Sequence, residues 1–124
     1  MEDKKPDILE RTIEYSLRII KLFRKLEKDS VGRIIAKQLL RSGTSIGANV
    51  HEAQGGQSKA DFIAKMSIAN KEARESAYWL RLVKESGLIP ESRITDLYDE
   101  TDQIIKILSS ILITAKKRKI AEQH

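Results

Sequence analysis

The chain has 124 residues, of which 40% are hydrophobic and 33% charged, with no cysteine and a formal net charge of +5. That length suits one domain spanning residues 1–124 with room for four helices, and the composition excludes disulfides, thiolate metal sites and a cysteine nucleophile. No apolar run approaches the roughly 18 residues of a membrane span, and Met1 to Asp7 lacks the apolar stretch of a secretion signal, so a cytoplasmic protein without membrane association is expected.

Residues 1–7 are expected to fray, with Asp7 as an N-cap. A first helix over about 8–28 is amphipathic. Leu9, Ile13, Ser16, Ile20 and Phe23 share the face expected to turn inward, and Arg11, Arg18, Lys21, Lys25 and Lys28 share the opposite one with Glu14. Asp29 or Ser30 caps a second helix over about 31–54. Gly43 and Gly47 weaken it by about 1 kcal/mol each relative to alanine, yet at a spacing of four they share a side on which another backbone can come close. Its expected core edge is Val31, Ile35, Gln38, Ser42, Ser45 and Asn49, with Arg33, Lys37, Thr44, Ala48 and His51 on the far side. A break at Ser42-Gly43, giving a phosphate-cradling loop, is the lesser alternative, because neither a preceding strand nor a Lys-Ser/Thr signature accompanies it.

Gly55-Gly56-Gln57-Ser58 marks a loop, and Ser58 with Asp61 opens a third helix over about 58–85. Phe62, Met66, Ala69, Ala73, Ala77 and Leu80 form its main face, the alanines implying close helix packing. Ile68, Tyr78, Trp79 and Leu82 form a second apolar face, which suggests contact between subunits; the plainer reading folds Trp79 over the edge of its own bundle. Ser86-Gly87 is a helix stop and Pro90 precedes a fourth helix over about 91–116. Ile94, Leu97, Tyr98, Thr101, Ile104, Ile105, Leu108, Ile111 and Leu112 face inward on it, and residues 120–124 are expected to fray. The expected fold is all-α, an antiparallel up-down-up-down four-helix bundle.

Charge is unevenly spread along these helices. From Arg11 to Arg41 nine Lys/Arg stand against three acids, residues 116–124 add four against one, and residues 42–115 carry eight against ten. A surface that meets nucleic acid would look like this, as would a merely solvated face. The expected contacts are Arg11, Arg18, Lys21, Lys25, Lys28, Arg33, Lys37 and Arg41, with the tail Lys116, Lys117, Arg118 and Lys119, although part of that tail only complements the helix dipole.

Catalytic and metal chemistry find little support. A di-iron bundle needs Glu-x-x-His pairs, and none exists. Ser45, His51 and Glu52 do not form a hydrolytic triad, since Ser45 and His51 diverge on one helix. No cofactor is implied. Antiparallel second and third helices would instead set Ser45, Asn49 and Glu52 against Lys71, Glu72 and Glu75, a polar network that specifies register.

The segments Gln38-Leu39-Leu40-Arg41-Ser42-Gly43-Thr44-Ser45-Ile46-Gly47-Ala48-Asn49, Glu52-Ala53, Ser58-Lys59-Ala60-Asp61-Phe62-Ile63, Lys71-Glu72-Ala73-Arg74-Glu75, Trp79-Leu80-Arg81-Leu82 and Glu85-Ser86-Gly87-Leu88-Ile89, in that order, resemble the 23S ribosomal RNA intervening-sequence proteins. That family takes its name from reading frames inside segments inserted into some bacterial large-subunit rRNA genes. The resemblance, over about residues 8–115, implies an up-down-up-down bundle assembled as a ring, commonly a pentamer. The chain is also similar to the accessory proteins of diversity-generating retroelements, basic pentameric bundles that bind nucleic acid and a reverse transcriptase. The expected role is a non-enzymatic oligomeric scaffold on RNA or DNA backbone, with a protein-binding assembly module as the rival.

Overall fold

Local sequence signals set where each helix begins and ends. The computed structural model describes residues 7–123, so the expected fraying of residues 1–6 lies outside the described residues. Helix α1 spans Ile8–Leu26, α2 Ser30–Gln54, α3 Lys59–Ser86 and α4 Glu91–Gln123. The Asp7 carboxylate accepts the Glu10 N–H, the Asp29 carboxylate those of Val31 and Gly32, and the Ser58 hydroxyl that of Asp61, so three helices start on the side chains that their sequences offer as caps. Gly87 closes α3 at φ 74°, a left-handed conformation that glycine adopts without penalty. The structure extends α4 through Gln123, beyond the expected end near 116 and through residues expected to fray. No glycine or proline stops it there, and an ion pair from Lys59 to Glu122 ties its last turn to the start of α3.

The helices pack as a four-helix bundle, each against its neighbour in sequence, with α1 and α4 closing the circuit more loosely. Cross-helix pairs run in opposite order along successive helices. Thr12 lies by Gly47 and Ile19 by Gly43; Glu52 pairs with Lys65 and Ser42 with Ser76; Asn70 bonds Ser109 and Lys84 pairs with Glu91. Sequence neighbours are thus antiparallel.

Gly43 and Gly47 lie inside one continuous α2, not at a break. A Cβ on Gly43 would stand 2.9 Å from the Ile19 side chain, and one on Gly47 3.1 Å from Thr12, so the two glycines let α1 and α2 approach.

The core of α1 differs from the expected face. Tyr15, Ile19, Leu22 and Leu26 are buried together with Arg11 and Thr12, whereas Ile13 is 42% and Leu17 60% exposed. In α2 the buried residues are Ala36, Leu39, Ile46, Val50 and Ala53 with Ser42, and Val31 is exposed. Of the expected edge of α2, Ser42 is buried, Ile35, Ser45 and Asn49 are half-buried, and Gln38 is exposed. In α1 the cause is that the true core stripe includes Arg11 and Tyr15, polar residues whose partners Glu100 and Thr101 lie on α4.

Those partners form a polar layer. Tyr15 Oη on α1 is 2.7 Å from Thr101 Oγ1 on α4, and Ser76 Oγ on α3 donates to Ser42 Oγ on α2 at 2.9 Å. Buried hydroxyl pairs thus tie α1 to α4 and α2 to α3. Each is satisfied, which makes the layer a register mark rather than a cost.

Candidate nucleic-acid interface

The basic residues of α1 wind from its α4 side to its outer face. Arg18, Lys21, Lys25 and Lys28 are exposed there, and Arg33 and Lys37 follow on the outer face of α2. The Arg33 guanidinium donates to the Glu27 carbonyl at 3.2 Å, which places it over the α1–α2 turn. None of these six cations forms an ion pair with another described residue. They therefore keep their charge available to a polyanion.

Arg11 and Arg41 belong elsewhere. Arg11 is buried at 9% exposure; its guanidinium donates to both Glu100 oxygens at 2.6 and 3.0 Å and to Gln103 Oε1 at 2.9 Å. The hydrogen bonds it donates to Glu100 raise its pKa above the ordinary arginine value. Arg41 spans from α2 to α3, binding Glu72 at 2.9 Å and also Glu75. Both arginines are engaged by carboxylates and are no part of the open basic surface. Sequence spacing put Arg11 on the outward stripe, and the structure corrects this: Glu100, 89 residues away and beyond any local signal, holds it buried against α4.

The tail is also set apart. Lys116, Lys117 and Arg118 are exposed and Lys119 half-buried, but Arg118 lines a pocket with Gln54, Ser58 and Phe62 at the α2–α3 loop. The stripe lies at the other end of the bundle, where Lys25 and Leu22 meet Ile89 and Arg93 around a cleft of about 230 Å³. Arg93, absent from the sequence-based set, joins Arg18, Lys21 and Lys25 there. It went unseen because its surroundings in sequence are acidic.

The six residues expected to share a polar network do not form one. Ser45 Oγ donates to the Arg41 carbonyl and Asn49 Nδ2 to the Ser45 carbonyl, both within α2. Glu52 pairs with Lys65 at 3.5 Å, Lys71 is exposed, and Glu72 and Glu75 take Arg41. The long arginine reaches the α3 carboxylates that the short Ser45 and Asn49 side chains were expected to meet. His51 Nε2 lies 3.0 Å from the Leu9 carbonyl and is turned away from Ser45. Among the described residues no three His, Asp or Glu side chains are grouped to hold a metal ion. No helix among them is long and apolar enough to cross a membrane.

On α3, Ile68 is 42% and Tyr78 57% exposed, while Trp79 and Leu82 are half-buried. Trp79 packs partly on the core, donates Nε1–H to Glu75 at 3.2 Å and meets the Tyr78 ring edge-to-face with centroids 5.1 Å apart.

The crystal structure of a protein of unknown function from the S23 ribosomal protein family, from Bacteroides thetaiotaomicron, superposes with a TM-score of 0.81 at 40% identity, covering 85% of this chain and 97% of that one. A search of curated proteins finds no match. The family model described as 23S rRNA-intervening sequence protein matches residues 4–110. The chain belongs to the 23S rRNA-intervening sequence protein family.

Proposed function

We propose that the protein is a non-enzymatic oligomeric scaffold that binds the backbone of RNA or DNA through the exposed face of α1 and the first turns of α2. The observation that carries this reading is the group Arg18, Lys21, Lys25, Lys28, Arg33 and Lys37, none of which is ion-paired with a described residue. The ring, commonly a pentamer, that the family resemblance implies would repeat this face several times and raise avidity on a long polyanion. Few aromatic residues stand among these cations, so binding would follow phosphate charge and be little concerned with sequence. Fluorescence anisotropy with a structured RNA and a DNA duplex, at low and physiological salt, tests it. Binding that weakens steeply with salt and is lost on combined Lys21→Glu, Lys25→Glu and Lys28→Glu supports it. An absence of binding at low salt overturns it.

A protein-binding assembly module is the second reading, favoured by the exposed Ile68 and Tyr78 beside Trp79 and Leu82. Sedimentation velocity separates the roles of the two surfaces. Ile68→Lys with Tyr78→Lys should dissociate an oligomer built on this face, and the triple glutamate variant should leave its assembly intact.

A further inference from the structure

The cleft between α1 and α4 has a chemistry narrower than that of a general basic face. Four cations line it, Arg18, Lys21 and Lys25 from α1 and Arg93 from the first turn of α4, over a floor of Leu22, Ile89 and Leu97. Two acids on α4, Glu91 and Glu100, are already bound to Lys84 and Arg11. Glu14 and Asp96 stand one helical turn from Arg18 and Arg93 and offset part of the charge, but neither forms an ion pair with another described residue, and the rim stays net positive. The floor is aliphatic, so it offers no ring for a base to stack on. At about 230 Å³ the cleft falls below the roughly 300–1,000 Å³ usual for pockets that enclose drug-sized molecules, which suits phosphate groups better than a whole nucleotide.

We propose that this cleft is a phosphate-binding site, in which Arg93 closes the α4 side of a clasp whose α1 side is Arg18, Lys21 and Lys25, and that it seats phosphates of a nucleic-acid backbone. The ligand's identity rests on the nucleic-acid reading above; the clasp itself does not. Arg93 contributes a planar fork that grips phosphate oxygens in pairs, and the two lysines supply point charge. Position, rather than base identity, is what such contacts set.

The test uses the full chain and a fluorescein-labelled RNA, titrated at several salt concentrations, with Arg93→Gln and a charge-matched control, Arg74→Gln, exposed on α3. Arg93→Gln should weaken binding about 5–10-fold at low salt and lower the salt slope by about one, and Arg74→Gln should change neither. Inorganic pyrophosphate should displace the RNA at concentrations where sodium chloride of equal ionic strength does not. If Arg93→Gln binds like the native protein while the triple glutamate variant has lost binding, the backbone reading stands and the clasp is overturned. If the native protein binds no RNA, calorimetry with pyrophosphate decides: binding that Arg93→Gln abolishes retains the cleft as a site for free phosphates, and no heat of binding overturns it.

Discussion

Arg11 and Tyr15 are two polar residues facing the inside of α1, and each carries its own test. Arg11 holds Glu100 through two hydrogen bonds in a setting where both side chains are largely shielded, at 10% and 21% exposure. Arg11→Met would strand the Glu100 carboxylate, and urea denaturation should show a loss of about 2–3 kcal/mol, below the figure for a fully buried pair because Glu100 keeps some water. Adding Glu100→Leu should recover most of it. The same Arg11→Met variant should bind RNA as tightly as the native protein, since that arginine is not on the open surface. For Tyr15, burial pushes the hydroxyl up to about 12. Its folded pKa exceeds the unfolded value near 10, so its contribution is whole below pH 10 and is lost as pH rises toward 12, a difference of roughly 2–3 kcal/mol. Tyr15→Phe should cost about 1 kcal/mol at pH 7. The gap between variant and native stability should close and then reverse in favour of Tyr15→Phe as denaturation is repeated from pH 9 to 11.5.

At the scale of helices, capping and breaking were open to the eye in the sequence, and the inward direction was not. Asp7, Asp29, Ser58 and Gly87 act within three or four residues of where they stand, so their roles are written locally. The core stripe of α1 is not, because Tyr15 and Arg11 look polar until Thr101 and Glu100 arrive from α4. The basic stripe was traceable by helical angle for Arg18, Lys21, Lys25 and Lys28, but which arginines were already spoken for depended on tertiary pairing. The close approach of α1 and α2 gives the prediction proper to this scale. Gly43→Val would drive a branched side chain into Ile19, which is fully buried and has nowhere to retreat. A destabilisation of about 1–3 kcal/mol is expected in chemical denaturation, with helix content near native by circular dichroism if the bundle relaxes without unfolding.

For the molecule as a whole, the distribution of charge has changed meaning. The sequence offers two basic segments that read as one surface, whereas the bundle sends Arg93 and Arg118 to opposite ends of α4. At 1.5 Å per residue, the intervening helix measures about 38 Å. Under the proposed function, a tail that also met phosphate would make the two ends the jaws of a gauge. On a duplex rising 3.4 Å per base pair, that separation corresponds to about eleven base pairs, close to one full turn. Duplexes shorter than this should engage one end of a protomer at a time, and affinity should climb once the length passes about eleven pairs; Lys117→Glu with Arg118→Glu should remove the climb while leaving short duplexes bound. A series of duplexes from six to twenty pairs, read by anisotropy, would turn the length of one helix into a length recorded in nucleic acid.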